Sequence, residues 1–240
     1  NNGRKVLASE LRYADGSYAI DFADLEEKLA RETTSLFIFC NPHNPIGKVW
    51  DRPTLERIAE LCIKHDVLVV SDEIHCDLTH IGHAYIPFAS LSKEIADRTI
   101  SCIAPTKTFN IAGLQTAAIV IPNPEIRKQV DRGINTDEVA EPNTFAIQAA
   151  EAAFDEGEEW LEELREYLEL NREFLIGSLK ELVPEVQVIE AEATYLAWID
   201  CAAITEDTKA LCAFIREKTG LYLSAGDIFG GNGSRFVRWN

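Results

Sequence analysis

Residues 104–115 read APTKTFNIAGLQ, and one lysine, Lys107, stands there between hydroxyl residues and a glycine-containing turn. Immediately upstream, Thr99 to Ile103 is a short β-rich run that meets Pro105. Proline has a fixed φ and no N–H for a strand ladder, so the run is expected to end there, leaving Lys107 on the loop beyond a strand's carboxyl end. Ligand sites of open α/β sheets collect on such loops. An isolated lysine in a Ser/Thr-rich loop is ordinarily a solvated side chain, so its neighbours decide its meaning.

Two other apolar runs end in chemistry of their own. Val67 to Val70 leads into Ser71-Asp72-Glu73-Ile74-His75, and Leu36 to Cys40 leads into NPHNPIG at residues 41–47. Three successive strand ends thus bring an amide (Asn44), a carboxylate (Asp72) and an amine (Lys107) to one rim. This order resembles the pyridoxal-phosphate enzymes of the aspartate aminotransferase fold, where an Asn-Pro-x-Gly turn, an Asp after a strand and a Schiff-base Lys recur.

Composition bounds the alternatives. A chain of 240 residues can form one large α/β domain or one and a half, burying roughly 70–75% of its unfolded surface. It contains no methionine, so it is expected to be an internal piece of a longer product. Neither an 18-residue apolar run nor a charged, apolar, small-residue leader before residue 30 is found, and neither a membrane span nor a signal peptide is expected. A net charge of −17 opposes a phosphate backbone, so nucleic acid is not an expected partner. The six cysteines form no CxxC pair and sit mostly in apolar runs, which fits a reduced, cytoplasmic compartment.

In chain order, Asp15-Gly16 is a turn between two short β-like runs, and Asp21 is a candidate N-cap for a helix carrying Phe22, Leu25 and Leu29. Pro53 suits the first turn of a helix whose stripe is Leu55, Ile58, Ala59 and Cys62, ending near Lys64. This helix between two apolar strands is a βαβ unit, whose strands are expected to be covered on both faces of a parallel sheet. Thr116 to Ile121 is a further strand. Helical patterns follow at 125–132, 143–154 and 158–182, the last with Leu161, Leu164, Leu168, Leu175 and Leu179 in helical spacing and Pro184 as its stop. Beyond it, 186–189, 195–199 and 236–239 predict strands, and 207–218 an amphipathic helix. The expected architecture is α/β: a mostly parallel cofactor-binding large domain over 1–160, then a linking helix and part of a smaller α+β domain over 161–240, with the site in the cleft between them.

The resemblance also implies roles. Lys107 would carry the cofactor's carbonyl carbon as a Schiff base. Asp72 would face the pyridine nitrogen, where an opposite charge raises that nitrogen's pKa by roughly one to three units. Asn44 would donate to the phenolate oxygen, Thr106 stands where the family places a phosphate-binding hydroxyl, and Arg238 in RFVRWN matches the arginine that grips a substrate α-carboxylate bidentately. Without the resemblance, Asp72 and Asn44 are ordinary turn residues and Arg238 a surface ion-pair residue.

Two positions depart from the aminotransferase pattern: His75 replaces the tyrosine three after the aspartate, and Gln115 replaces a phosphate-holding arginine eight after the lysine. DEIH together with KTFNIAGLQ, WDRPTLERIAELC, HIGHAYIPFASLS and ATYLAWID is similar to the branch containing cystathionine β-lyases and cysteine desulfhydrases of the MalY/PatB type. That branch implies pyridoxal 5'-phosphate as cofactor, bound by Asn44, Asp72, His75, Thr106 and Lys107. It also implies a small amino-acid substrate and a homodimer. An aminotransferase sharing Lys107, Asp72 and Arg238, or an aminotransferase-like sensor domain without turnover, remain as alternatives. A metal site at His75, His80 and His83 is not expected, because helical HExxH spacing is missing. Nor is a His75–Cys76 nucleophile pair, since neighbours on an extended chain point opposite ways.

Overall fold

The computed structural model describes residues 3–240. In chain order its elements are β1 (Arg12–Ala14), β2 (Ser17–Ala19), α1 (Phe22–Leu29), β3 (Leu36–Cys40), α2 (Arg52–Lys64) and β4 (Leu68–Asp72). Then come α3 (Lys93–Ala96), β5 (Thr99–Ile103), α4 (Pro105–Thr108), β6 (Ala118–Val120), α5 (Pro124–Thr136), α6 (Ala146–Glu156) and α7 (Glu158–Leu182). The chain finishes with β7 (Gln187–Val188), β8 (Ala197–Asp200), α8 (Thr208–Thr219), β9 (Ser224–Ala225) and β10 (Phe236–Trp239).

Capping residues explain where several helices begin. The Asp21 side chain accepts from the N–H groups of Ala23 and Asp24 at the start of α1, and Asp51 accepts from Thr54 N–H ahead of α2, whose first turn tolerates Pro53. Asp207 does the same for α8. Asp15 and Gly16 both have positive φ, the two-residue turn that closes the β1–β2 hairpin.

The first sheet has the order β3-β4-β5-β6, with three parallel strands and an antiparallel edge. Its core joins Phe39 and Val69 to Leu55, Ile58 and Cys62 of α2 and Ile95 of α3. The inner parallel strands β4 and β5 have no exposed residue, in keeping with cover on both faces, whereas on the two edges Ile38 of β3 is 70% exposed and every residue of β6 is exposed. The physical reason for the open face at Ile38 is handedness. The two crossovers β3 to β4 and β4 to β5 step the same way along the sheet, so their helices lie on one face.

The second sheet, β7-β8-β10-β9, is antiparallel. One of its faces packs on α8 through Ile199, Val237 and Cys212. The other meets the β1–β2 hairpin, where Tyr18, Trp198 and Phe236 are buried together and Trp198 stacks on Phe236 at 4.9 Å. Helix α7 reaches between the two sheets: Arg165 Nε donates to the Thr79 carbonyl at 3.0 Å, and Leu179 packs on the second sheet's core.

Candidate active site

Parallel register sets the first row of the site. Cys40, Asp72 and Cys102 are matched across β3, β4 and β5, and matched positions project from the same face. Asp72, the last residue of β4, therefore stands between two thiols. Burial pushes Cys40 up to about 11 and Cys102 upward as well, with the Asp72 charge adding to both. Both stay protonated near neutrality, so the carboxylate is the row's only charge. Its Oδ1 accepts from Ile74 N–H at 3.2 Å, so one oxygen also serves the turn that follows.

Lys107 is not on a loop. It lies in α4, a single helical turn that starts one residue beyond β5, with Pro105 at its first position. Proline ends the strand as expected, but its φ is equally suited to opening a helix, and that is the use made of it. Lys107 is exposed while Thr106 and Thr108 on either side are buried. The turn is held by Thr108 Oγ1 donating to Asp77 Oδ2 at 3.2 Å and by Phe109, which stacks on Trp160 at 5.5 Å and meets Phe154 edge-on. Gly157, between α6 and α7, leaves room for that ring: a Cβ there would collide with Phe109 and with the Ala153 carbonyl.

On the opposite side, Arg238 on β10 donates from Nη1 to Asn44 Oδ1 at 3.4 Å, a long contact that leaves the Asn44 amide nitrogen to donate elsewhere. The guanidinium lies over the Phe229 ring at 4.9 Å. Its Nε is buried without a hydrogen-bond partner among the described residues, as is His75 Nδ1. His75 is 3% exposed. Burial pushes its pKa down, the Lys107 and Arg238 charges push the same way, and Asp72 opposes them. The imidazole is thus held neutral in the field of all three charged residues. Gln115 is exposed and closes a short turn after Ala112–Leu114 with φ 51°.

Asn44 and Arg238 are therefore in contact, and His75 lies within electrostatic reach of Asp72, Lys107 and Arg238. A cavity of about 820 Å³ opens beside Thr106 and Lys107, bounded by Tyr195 and by Leu164, Leu168 and Leu175 of α7. Its lining does not include Asn44, Asp72 or Arg238. Two buried, unpartnered nitrogens next to an amine, an amide and a carboxylate suit an anionic, aromatic carbonyl compound. Among the described residues no group of three or more His, Cys, Asp or Glu side chains could hold a metal ion. His80 in particular is engaged elsewhere, its ring nitrogens 2.9 Å from Ala191 O and 2.8 Å from Thr194 O. Sequence reasoning missed the two thiols beside Asp72, because which residues flank it is set by the register of three strands separated in sequence. It quoted ATYLAWID without giving Tyr195 a role.

The profile of the family described as aminotransferase class I and II matches residues 3–240. Cystathionine beta-lyase PatB of Bacillus subtilis (strain 168) is 44% identical over 239 residues, a match covering 100% of this chain and 62% of that protein. Protein MalY of Escherichia coli (strain K12) is 33% identical over 241 residues, covering 100% of this chain and 61% of that protein. The crystal structure of cystalysin from Treponema denticola, which contains a pyridoxal 5'-phosphate cofactor, is similar with a TM-score of 0.96 at 35% identity, over 99% of this chain and 60% of that one. The chain spans about three-fifths of the length of these curated relatives. With strand-end amide, carboxylate and amine in the family's order and a profile match over nearly its whole length, the chain belongs to the aminotransferase class I and II family.

Proposed function

We propose that this chain carries the central residues of a pyridoxal-phosphate-dependent carbon–sulfur β-lyase of the cystathionine β-lyase or cysteine desulfhydrase type, forming pyruvate, ammonia and a thiol. One observation carries the proposal: neutral His75 lies in the field of Asp72, Lys107 and Arg238, while Arg238 touches Asn44. Similarity to cystathionine beta-lyase PatB supports the lyase chemistry over plain amino-group exchange. Bound pyridoxal phosphate supplies an electron sink for the pair left when the substrate Cα–H bond breaks.

The chain's own residues divide the remaining work. Asp72 would keep a proton on the ring nitrogen by its charge, helped by two flanking thiols that bring no competing charge. Asn44 would donate its amide to the phenolate oxygen, with its carbonyl oxygen turned to Arg238. His75, neutral, offers a hydrogen bond without changing the charge on that side, and Thr106 offers its hydroxyl to the phosphate. Arg238 would grip the substrate carboxylate and fix which Cα bond is presented for cleavage. Lys107, exposed to the cavity, takes the Cα proton at Nζ as general base once substrate is bound. The pair left at Cα would form the Cα–Cβ double bond as the Cβ–S bond breaks, the sulfur leaving as thiol with the proton held at Lys107 Nζ, and water would then hydrolyse the remaining three-carbon enamine to pyruvate and ammonia. The resemblance further implies a homodimer and a cytoplasmic enzyme.

The test is product analysis of pyridoxal-phosphate-loaded protein given cystathionine, cysteine, and an amino acid with a keto acid. Pyruvate and thiol from the sulfur substrates are expected. Amino-group exchange at a higher kcat/KM would replace the lyase by an aminotransferase, and no turnover with retained binding would favour a sensor.

A further inference from the structure

The segment Ala191 to Thr194, just ahead of Tyr195, is fixed more heavily than a connection between sheets requires. Gly47 O accepts from the N–H groups of Glu192 at 2.8 Å and Ala193 at 2.9 Å. The Glu192 carboxylate takes Lys48 Nζ at 2.5 Å and Val49 N–H at 2.8 Å. His80 bridges the carbonyls of Ala191 and Thr194, and whichever ring nitrogen carries the proton, a carbonyl receives it.

Thr194 is the unusual residue. It has φ 76°, a left-handed conformation that a β-branched side chain rarely adopts and that persists only when its surroundings impose it. Those surroundings are visible: Thr194 N–H donates to Leu78 O at 2.7 Å, its carbonyl faces His80, and its Oγ1 accepts from Leu196 N–H at 3.2 Å. The effect is to present the next side chain, Tyr195, to the cavity on which Lys107 opens. The Tyr195 ring stands edge-on to His75 at 6.1 Å. Burial pushes its hydroxyl upward against the lowering effect of Arg238, so the residue meets a ligand as a neutral aromatic surface.

We propose that Tyr195 is a specificity-determining residue: its ring, held by the locked Thr194 and the His80 bridge, is the wall that limits the size of the substituent on the substrate's β-sulfur. Tyr195 takes this role within the lyase proposed above. The same cavity is lined by Leu164, Leu168 and Leu175, apolar surface against which a larger substituent would lie if the ring were trimmed.

The experiment uses pyridoxal-phosphate-loaded protein and a series of S-methyl-, S-ethyl- and S-benzyl-cysteine, comparing wild type with Tyr195→Phe, Tyr195→Leu and Tyr195→Ala. Cofactor absorbance first establishes that each variant is loaded. The Phe variant should keep the wild-type order of kcat/KM within about twofold, whereas Ala should raise S-benzyl relative to S-methyl by about tenfold or more, with Leu between. The Leu variant decides the matter if Ala fails to load. A loss by one common factor across the series, or a Phe variant that behaves like Ala, overturns the proposal. If wild type forms no pyruvate, the lyase proposal fails, and Tyr195 is judged on dissociation constants for the same series from cofactor absorbance. A size-dependent shift there sustains it and a uniform one overturns it.

Discussion

Asp72 carries the charge in a row of three side chains that crosses the sheet, with a protonated thiol on either side. Neither neighbour supplies a proton or an opposing charge, so the role proposed for Asp72 cannot be taken over from within the row. Lys107, on a different element, is independent of it. Asp72→Ala should therefore still be fixed to the pyridoxyl group at Lys107 by borohydride reduction, as peptide mapping would show, while kcat drops on the order of a hundredfold or more. Mapping of the group to another lysine would remove Lys107 from its role, and near-normal kcat would remove Asp72. The two residues were legible in the sequence because local signals mark them: an apolar run with a carboxylate at its end, and a proline ahead of an amine. Cys40 and Cys102 were not, because which residues flank Asp72 depends on the register of three strands separated in sequence. Arg238 was legible only through resemblance; an arginine on a strand carries no local sign that its Nε will be buried without a partner.

Elements repeat the pattern, with misreadings where one residue type serves two structures. Pro105 was read as a strand breaker and is also a helix starter, so a loop was expected where α4 forms. The strands of the first sheet were read close to their observed bounds, whereas the strand expected from Tyr195 begins at Ala197 and β9 was not foreseen. Which face the helices would cover depends on crossover direction, which composition does not encode. The turn at 41–47 shows what its last residue is for. Gly47 has φ 66°, and a Cβ there would stand 2.6 Å from both Ala191 Cβ and Ala193 O, the segment whose N–H groups bond to the Gly47 carbonyl. Gly47→Ala combines left-handed backbone cost with a backbone collision, and should destabilise the protein by about 2–4 kcal/mol in urea unfolding. It should also loosen the segment ahead of Tyr195. An alanine variant as stable as wild type would mean that the 191–194 segment yields without cost and is not the rigid tie inferred from its hydrogen bonds.

At the scale of the molecule, the β1–β2 hairpin, the second sheet and the end of the chain are joined at one carboxylate. Asp200 accepts from Tyr13 Oη at 2.9 Å and from Arg235 through Nε at 3.0 Å and Nη2 at 2.5 Å, and its side chain is 7% exposed. Burial alone would push the Asp200 carboxyl up; the hydrogen bonds from Arg235, Ala202 N–H and Tyr13 outweigh it and hold the carboxyl below its ordinary value of 3.8. The same carboxylate and burial push Tyr13 up to about 12, so its hydroxyl remains a donor throughout the neutral range. A carboxyl whose folded value lies below its unfolded one adds stability above the unfolded value and loses it as pH falls through the folded one. The Asp200 contribution should thus be complete at pH 7 and fade below about pH 3.8. Arg235 is 40% exposed, which screens the pair, so replacing the charge by Asp200→Asn should cost about 1–2 kcal/mol at neutral pH. Urea unfolding of both proteins at pH 7 and at roughly pH 3 checks this. The gap between wild type and variant should be narrower at the acid end, because the unfolded Asp200 is largely protonated there, and it vanishes only once pH has also passed below the depressed folded value. A gap that stays constant would mean that the cost comes from shape and hydrogen-bond geometry at this junction, with the charge on Asp200 contributing nothing to holding hairpin and sheet together.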